Sequence, residues 1–242
     1  VAIYSTFLQR AFDCIFHDGL LQDLPIIYCM DRSGLVGPDG PTHHGVFDIS
    51  MLRMLPNMVV TAPKDGNELR NLLATATTSK KSFSIRYPKG SSRKFDINRA
   101  PEILKIGVWE ELTKGAKIAI LASGSMVGIV EDNLKAISET LGFTPTLINA
   151  RFIKPLDKSM LLSLCKEYDA ILTMEEGCLA GGFGSAVVEY YNDIGSSVKI
   201  SRMGIPDNFI EHDSREALLD SLDLNSIGVV NKIKAILGDS ND

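Results

Sequence analysis

One stretch of the chain concentrates side chains that could hold a ligand. Residues 31–45 read DRSGLVGPDGPTHHG, which is too rich in Gly, Pro and Asp for regular structure. The stretch contains Arg32, Asp39, His43 and His44, and its glycines allow the backbone to fold tightly around a bound group. Irregular loops of this length are usually functional, so we predict a binding loop. The alternative is a solvated surface loop whose polar residues cap turns.

A second cation follows another predicted strand. Residues 86–90 read RYPKG and end a strand predicted over 82–87, which brings Lys89 to the strand's carboxyl end. Strand ends of a parallel sheet open on the same side, where ligands of such sheets bind. A phosphate would explain Arg32 and Lys89 together, because a guanidinium offers a planar fork and an ammonium a point charge. Each cation taken alone is more often an ordinary surface charge.

The aromatic residues near the start of the chain allow two interpretations. Tyr4, Phe7 and Arg10 are spaced three residues apart and would share one face of a helix that begins directly after a strand. The residue pattern alone favours two core aromatic side chains and a solvated arginine. A ligand-facing aromatic surface is the alternative.

The remaining patterns with chemical potential are weaker. Residues 180–185 read AGGFGS, which suggests a phosphate-binding turn but lacks the full spacing of one, so a tight strand-to-helix turn is predicted. Glu175 and Glu176 could form an acid/base pair at a strand end, although no partner is placed near them. The four cysteines include no CxxC pair, so we expect neither disulfides nor a zinc site, and no metal ligands are assigned.

Composition limits the classes of protein and partner. The chain has 242 residues with 45% apolar and 23% charged residues, as in ordinary globular domains. The formal net charge of -5 argues against nucleic acid or an anionic membrane as a partner. No apolar run approaches the roughly 20 residues of a membrane span. The first residues resemble the middle of a strand and include no initiator Met, so we expect a piece of a longer polypeptide.

The alternation of strand-like and helix-like periods predicts an α/β protein with mostly parallel sheets covered by helices. A polar, mixed stretch over about 91–111 is typical of a linker. The predicted division is therefore 1–105 and 106–242. Strands are predicted to end near residue 3 and to cover 25–30, 58–61, 82–87, 117–122, 146–150, 170–174 and 198–203. Helices are predicted over 4–18, 67–78, 126–141, 158–168, 185–192, 214–222 and 227–237.

Several segments, in order, resemble the 1-deoxy-D-xylulose-5-phosphate synthase family of thiamine-diphosphate enzymes. YSTFLQRAFD, DRSGLVGPDGPTHHGVFD, APKDGNELRNLL and IRYPKG resemble the second half of its transketolase-like pyrimidine-binding domain. ARFIKPLD, TMEEGCLAGGFGS and GIPDNFIEH resemble its transketolase-like C-terminal domain. Transketolase and the pyruvate dehydrogenase β subunit carry looser versions of the loop, and the GIPD and KPLD segments favour the synthase.

The resemblance implies a transferase activity. Enzymes of this family condense pyruvate, with decarboxylation, and glyceraldehyde 3-phosphate, in isoprenoid, thiamine and pyridoxal phosphate biosynthesis. Their cofactors are thiamine diphosphate and Mg²⁺. By matching motif, Phe7 would stack on the aminopyrimidine ring of the cofactor, with Tyr4 and Arg10 lining the same side. This implication reverses the preference for core aromatic side chains.

The resemblance also assigns substrate-binding residues. Arg32 would bind the phosphate of glyceraldehyde 3-phosphate, and Asp39 and His43 would line the substrate pocket. His43 is the candidate catalytic residue, because an imidazole can shuttle protons near neutral pH. Lys89 stands where the family usually has the Arg of YPRG. It keeps the charge but loses the bidentate geometry, which predicts weaker phosphate affinity.

The family's diphosphate and Mg²⁺ motif of GDG type is absent from the sequence, as is the glutamate that activates the aminopyrimidine. We therefore expect this chain alone to be inactive and to need the N-terminal half of the enzyme. The resemblance further implies a homodimer in the bacterial cytoplasm, or in the plastid stroma of a plant or alga. Two alternatives stay open: the β subunit of a 2-oxo-acid dehydrogenase and a non-catalytic assembly module.

Overall fold

A computed structural model describes residues 1–238 and contains two sheets covered by helices. The strands are β1 (Ala2–Tyr4), β2 (Ile27–Asp31), β3 (Met58–Thr61), β4 (Ser82–Arg86), β5 (Glu110–Thr113), β6 (Ile118–Ala122), β7 (Thr146–Asn149), β8 (Phe152–Lys154), β9 (Ala170–Cys178) and β10 (Lys199–Ile205). The helices are α1 (Ser5–Leu8), α2 (Phe12–Cys14), α3 (Asp48–Arg53), α4 (Gly66–Thr78), α5 (Met126–Leu141), α6 (Lys158–Glu167), α7 (Phe183–Asp193), α8 (Arg215–Ser221) and α9 (Ser226–Leu237).

The first sheet has the strand order β1-β2-β4-β3-β8. The pairs β1–β2, β2–β4 and β4–β3 are parallel, and β8 runs antiparallel to β3. In this register Tyr4 lies opposite Asp31, and Met30 lies opposite Arg86. The carboxyl ends of three neighbouring strands therefore meet at one edge, where ligand sites of parallel sheets form.

The second sheet has the order β10-β9-β6-β7-β5, in which only the edge strand β5 is antiparallel to its neighbour. Strand β6 (IAILA) is buried along its whole length, as an apolar strand covered on both faces should be. The prediction of an α/β fold with mostly parallel sheets is confirmed.

Side-chain caps and glycines set the ends of the longer helices. Asp65 accepts a hydrogen bond from the backbone of α4, and Asn225 does the same for α9. Helix α5 ends at Gly142, whose φ of 74° is a left-handed conformation that glycine adopts without a steric penalty. None of the helices within residues 1–238 combines the length and the apolar character that a bilayer crossing requires.

Three elements were not predicted from the sequence: α3, β5 and β8. Strand β8 follows the polar stretch in sequence but pairs with β3 of the first sheet. It has only three residues, and its partner is distant in the chain, so no local pattern reveals it. Strand β9 also extends to Cys178, past Glu175 and Glu176, whose charged side chains suggested an earlier end. The predicted helix over 4–18 is present but passes through a 3₁₀ turn at Gln9–Ala11 and ends as a π-helix at Ile15–Leu20.

One continuous core joins the two sheets. A single cluster of buried side chains includes Phe83 of the first sheet and Leu121 of the second. Trp109, in the predicted linker, is buried in the same cluster, and its indole Nε1 donates to the carbonyl of Phe152 over 2.7 Å. The polar stretch contains no helix or strand over residues 91–109, but β5 begins at Glu110, and this tryptophan anchors the end of the stretch between the two units.

Candidate functional site

Two cations meet on one carboxylate at the edge of the first sheet. Arg32 Nη1 donates to Asp39 Oδ2 over 2.7 Å, and Lys89 Nζ donates to the same oxygen over 2.9 Å. The two nitrogens are therefore at most about 5.6 Å apart, since 2.7 Å plus 2.9 Å is the longest separation the shared oxygen allows. All three side chains keep part of their surface exposed. Arg32 and Lys89 thus lie close enough to contact one phosphate group.

The charges of this cluster reinforce one another. The hydrogen bond from Lys89 is the main cause that lowers the pKa of the Asp39 carboxyl, and the positive charge of Arg32 acts in the same direction. Asp39 therefore stays ionised near neutral pH. It holds both cations in place, and an incoming anion has to compete with it for their hydrogen bonds.

An aromatic surface borders the cation cluster. The rings of Tyr4 and Phe7 stack with centroids 5.4 Å apart, and the His43 ring meets Phe7 edge-on at 5.4 Å. The Arg32 guanidinium lies 4.1 Å from the centre of the Tyr4 ring, and that of Arg10 lies 6.0 Å from Phe7. Phe7 is 37% exposed, so it is not the core side chain that the residue pattern alone favoured.

The loop over residues 31–45 closes on itself above the sheet. Gly34 and Gly45 exchange two backbone hydrogen bonds of 2.7 and 2.8 Å. Gly34 has a φ of 83°, which few other residues adopt. A side chain at Gly45 would overlap the Arg32 carbonyl and the Ser5 hydroxyl. These two glycines let the loop return to the sheet edge, so that Asp39 and His43 reach the same site.

A buried ion pair anchors the base of the loop. Arg86 Nε donates to both carboxylate oxygens of Asp48, over 3.0 and 3.2 Å, and both side chains are buried. Ser33 Oγ adds a hydrogen bond of 2.9 Å to Asp48, and Arg86 Nη2 donates to the carbonyl of Glu176 over 2.9 Å. Sequence reasoning missed this pair, because charges in RYPKG and GVFD are expected on the surface. Nothing in their spacing reveals their burial.

Glu175 and Glu176 do not form an acid/base pair. The carboxylate of Glu175 accepts hydrogen bonds of 2.8 Å from the backbone amides of Phe183 and Gly184, at the start of α7. It occupies the position that a phosphate would take in a phosphate-binding turn, so residues 180–185 form a tight strand-to-helix turn. Burial raises the pKa of Glu175 to about 7. Glu176 instead contacts the loop over residues 31–45.

A cavity of about 380 Å³ lies beside Lys89, between the two units. Each of its other cations contacts at least one carboxylate of its own: Lys64 contacts Glu68 and Glu110, Arg93 contacts Glu131 and Asp132, and Arg215 contacts Glu176. In the cation cluster, by contrast, two cations share a single carboxylate beside an exposed aromatic ring, so we place the candidate site there. Residues 1–238 contain no group of three His, Cys, Asp or Glu side chains that could hold a metal ion.

Comparisons with known proteins agree with this organisation. Residues 1–94 match the family model of the transketolase pyrimidine-binding domain, and residues 107–229 match that of the transketolase C-terminal domain. The chain is 45% identical over 237 residues to 1-deoxy-D-xylulose-5-phosphate synthase 1 of Geobacter sulfurreducens, covering 98% of this chain and 37% of that protein. It is 44% identical over 238 residues to the synthase of Aquifex aeolicus, with the same two coverages.

A solved structure shares the fold. It is described as a split-gene transketolase in the form of an inactive β4 tetramer. The two structures superpose with a TM-score of 0.85 at 25% sequence identity, and the match covers 98% of this chain and 75% of the transketolase chain. The chain spans about 37% of the length of these two synthases. With both of its α/β units matched by family models, the chain belongs to the transketolase family and is similar to the 1-deoxy-D-xylulose-5-phosphate synthases within it.

Proposed function

We propose that this chain forms the substrate-phosphate and aminopyrimidine side of a 1-deoxy-D-xylulose-5-phosphate synthase. That enzyme joins the two-carbon unit left by decarboxylation of pyruvate to the aldehyde carbon of glyceraldehyde 3-phosphate. The observation that carries the proposal is the meeting of Arg32 and Lys89 on Asp39 Oδ2, beside the exposed ring of Phe7. Similarity to synthases over nearly the whole chain supports it.

The cation cluster suits a phosphorylated aldehyde. Arg32 and Lys89 would each donate to oxygens of the substrate phosphate, and the charge-assisted bonds would replace their present contacts with Asp39. Freed from the cations, the Asp39 carboxylate can accept a hydrogen bond from a substrate hydroxyl. Lys89 provides a single ammonium, so the site gains charge from it without bidentate geometry.

The aromatic surface suits the aminopyrimidine ring of thiamine diphosphate. Phe7 offers a partly exposed ring face for stacking, and Tyr4 and Arg10 flank it. When bound, the cofactor supplies the acidic carbon that holds the two-carbon unit of pyruvate. His43 Nδ1 lies 2.9 Å from Thr42 Oγ1. We assign to the other ring nitrogen, Nε2, the transfer of a proton to the aldehyde oxygen as the new carbon–carbon bond forms.

Further parts of the enzyme complete the proposal. We assign no role toward Mg²⁺ to the residues of this chain. We propose that the N-terminal part of the enzyme supplies the diphosphate and Mg²⁺ site, that this chain alone is inactive, and that the whole enzyme is a homodimer. The inactive β4 form of the split-gene transketolase supports a requirement for a complementary part. The four free thiols support a reducing compartment such as the bacterial cytoplasm or the plastid stroma.

Reconstitution tests the proposal. The chain is combined with the N-terminal part of a bacterial synthase, thiamine diphosphate, Mg²⁺, ¹³C-labelled pyruvate and glyceraldehyde 3-phosphate. We expect labelled 1-deoxyxylulose 5-phosphate by mass spectrometry and NMR, and no product when either part is left out. Transfer of the two-carbon unit only to an added lipoyl acceptor would instead identify a 2-oxo-acid dehydrogenase β subunit. Assembly without any turnover of pyruvate would identify a non-catalytic assembly module.

A further inference from the structure

A buried carboxylate of the second sheet reaches into the binding loop. Glu176 lies on β9, is 1% exposed, and its Oε1 accepts a hydrogen bond of 2.9 Å from the backbone amide of Leu35. The preceding residue, Gly34, lies so close that a side chain there would overlap the Glu176 carboxylate at 2.5 Å. The loop therefore contacts this carboxylate directly at Leu35, which lies four residues before Asp39.

Arg215 and Ser125 hold the Glu176 carboxylate in place. Arg215 Nε donates to Oε1 over 3.0 Å, and Ser125 Oγ donates to Oε2 over 2.6 Å. Both residues belong to the second unit, at the start of α8 and just before α5. Both oxygens of Glu176 thus accept hydrogen bonds, and a fixed carboxylate presents one of them to Leu35.

A second set of contacts supports the same part of the loop. His44, which is buried, accepts a hydrogen bond of 3.1 Å at Nδ1 from the Val36 amide, and its Nε2 lies 3.2 Å from the carbonyl of Glu211. Since Nδ1 accepts, the proton lies on Nε2 and is donated to that carbonyl. The residues that follow Glu211, 212–215, also pack closely against Gly37 and Gly40. The second unit therefore touches the loop on both sides of the Leu35–Val36 backbone.

We propose that Glu176, fixed by Arg215, is a positioning residue through which the second unit sets the placement of Asp39 and His43. The kinetic part of this inference rests on the proposed function, while its structural part does not. The physical reason is that a glycine-rich loop has many accessible conformations, and an anchor in its middle removes most of them. Displacement of a binding group by about 1 Å can cost roughly a hundredfold in rate.

Glu176→Gln tests the anchor directly. An amide offers one acceptor oxygen, whereas the carboxylate uses one oxygen for the Leu35 amide and Arg215 Nε, and the other for Ser125 Oγ and Arg215 Nη2. The glutamine must therefore lose contacts on one side. Arg215→Gln is the second variant, because its side chain is partly exposed and its loss perturbs the core less. Glu175→Gln is the matched control, since the neighbouring carboxylate is equally buried but bonds to the start of α7.

The first readout is hydrogen–deuterium exchange of the loop over residues 31–45 in the chain without substrate. We expect exchange of the Leu35 and Val36 amides to accelerate by about tenfold or more in Glu176→Gln and Arg215→Gln, and to stay at the wild-type rate in Glu175→Gln. Unchanged exchange in both test variants would overturn the inference. An equal acceleration in the control would also overturn it, because the effect would then reflect general loosening of the core.

The second readout is steady-state kinetics of the reconstituted enzyme. We expect the KM for glyceraldehyde 3-phosphate to rise by about tenfold in the two test variants while the KM for pyruvate changes little, because the loop carries the aldehyde side of the site. Equal changes in both KM values would contradict the positioning role. If the wild type makes no 1-deoxyxylulose 5-phosphate, the proposed function fails, and the exchange experiment still decides whether Glu176 anchors the loop.

Discussion

Replacement of Arg32 by alanine is the sharpest test of the phosphate site. Arg32 contacts Asp39 over 2.7 Å and stacks on Tyr4 at 4.1 Å, so its guanidinium is held in place before any ligand arrives. Little conformational entropy is therefore lost when it binds a phosphate. We expect Arg32→Ala to weaken binding of glyceraldehyde 3-phosphate and to leave binding of pyruvate nearly unchanged, because only the former carries a phosphate.

The size of the effect follows from the contact that is lost. A hydrogen bond to a charged group contributes about 1.5–3 kcal/mol, which corresponds to a rise in KM of about tenfold to a hundredfold. The side chains of Arg32 and Asp39 are 24% and 30% exposed, and this solvent contact favours the lower end of the range. In the variant Asp39 still holds Lys89. The remaining cation is therefore less available to the phosphate, which adds to the loss of affinity.

The assay compares glyceraldehyde 3-phosphate with glyceraldehyde, which lacks the phosphate. In the wild type, the ratio of the two kcat/KM values measures how much the phosphate contributes. We expect this ratio to fall by about tenfold to a hundredfold in Arg32→Ala. Arg10→Ala is the control. It also removes a cation from this surface, but that cation lies over the Phe7 ring and does not contact Asp39. Its ratio should equal that of the wild type, whatever happens to its overall activity.

Two results would refute the assignment. If Arg32→Ala lowers kcat/KM for both aldehydes equally, Arg32 supports the site without binding the phosphate. If Arg10→Ala lowers the ratio as much as Arg32→Ala does, the effect comes from the general positive field and not from a defined contact.

Four further predictions follow from the same contacts. Lys89→Arg should leave the KM for glyceraldehyde 3-phosphate unchanged or lower it, because a guanidinium adds bidentate geometry; a clear rise would count against a role for Lys89 in phosphate binding. Asp48→Asn should lower the free energy of unfolding by about 3–5 kcal/mol, since it leaves the charge of Arg86 buried, and urea unfolding measures this loss. Burial raises the pKa of Glu175 to about 7, so this carboxyl binds its proton more tightly in the folded chain than in the unfolded chain. The free energy of unfolding of the wild type, compared with that of Glu175→Gln, should therefore fall as the pH rises from about 4.5 to about 7 and stay level above that. Calorimetry of the chain alone, in the presence of Mg²⁺, should show no tight binding of thiamine diphosphate. A Kd of about 1 μM, which corresponds to a binding free energy of roughly 8 kcal/mol, would instead show that the chain binds the cofactor by itself.

The sequence by itself determined the class of fold and predicted where the candidate site lies. Apolar strands alternating with amphipathic helices predict parallel sheets because each period is a local property of the chain. The composition of residues 31–45 likewise predicts an irregular loop at a strand end, and the structure brings Arg32, Asp39 and Lys89 together there. The spacing of the aromatic residues alone favoured a core position for Phe7, whereas the motif resemblance indicated a ligand-facing one. In the structure the Phe7 side chain is partly exposed.

Only the tertiary structure decided what supports the site. Nothing in the sequence shows that Glu176 and Arg86 are buried. Their burial depends on partners far along the chain: Arg215 lies 39 residues from Glu176, and Asp48 lies 38 residues from Arg86. A buried charge is stable only when such partners surround it, and a local pattern carries no information about them. Strand β8 depends in the same way on pairing with the distant strand β3, which is a property of the folded chain and not of its three residues.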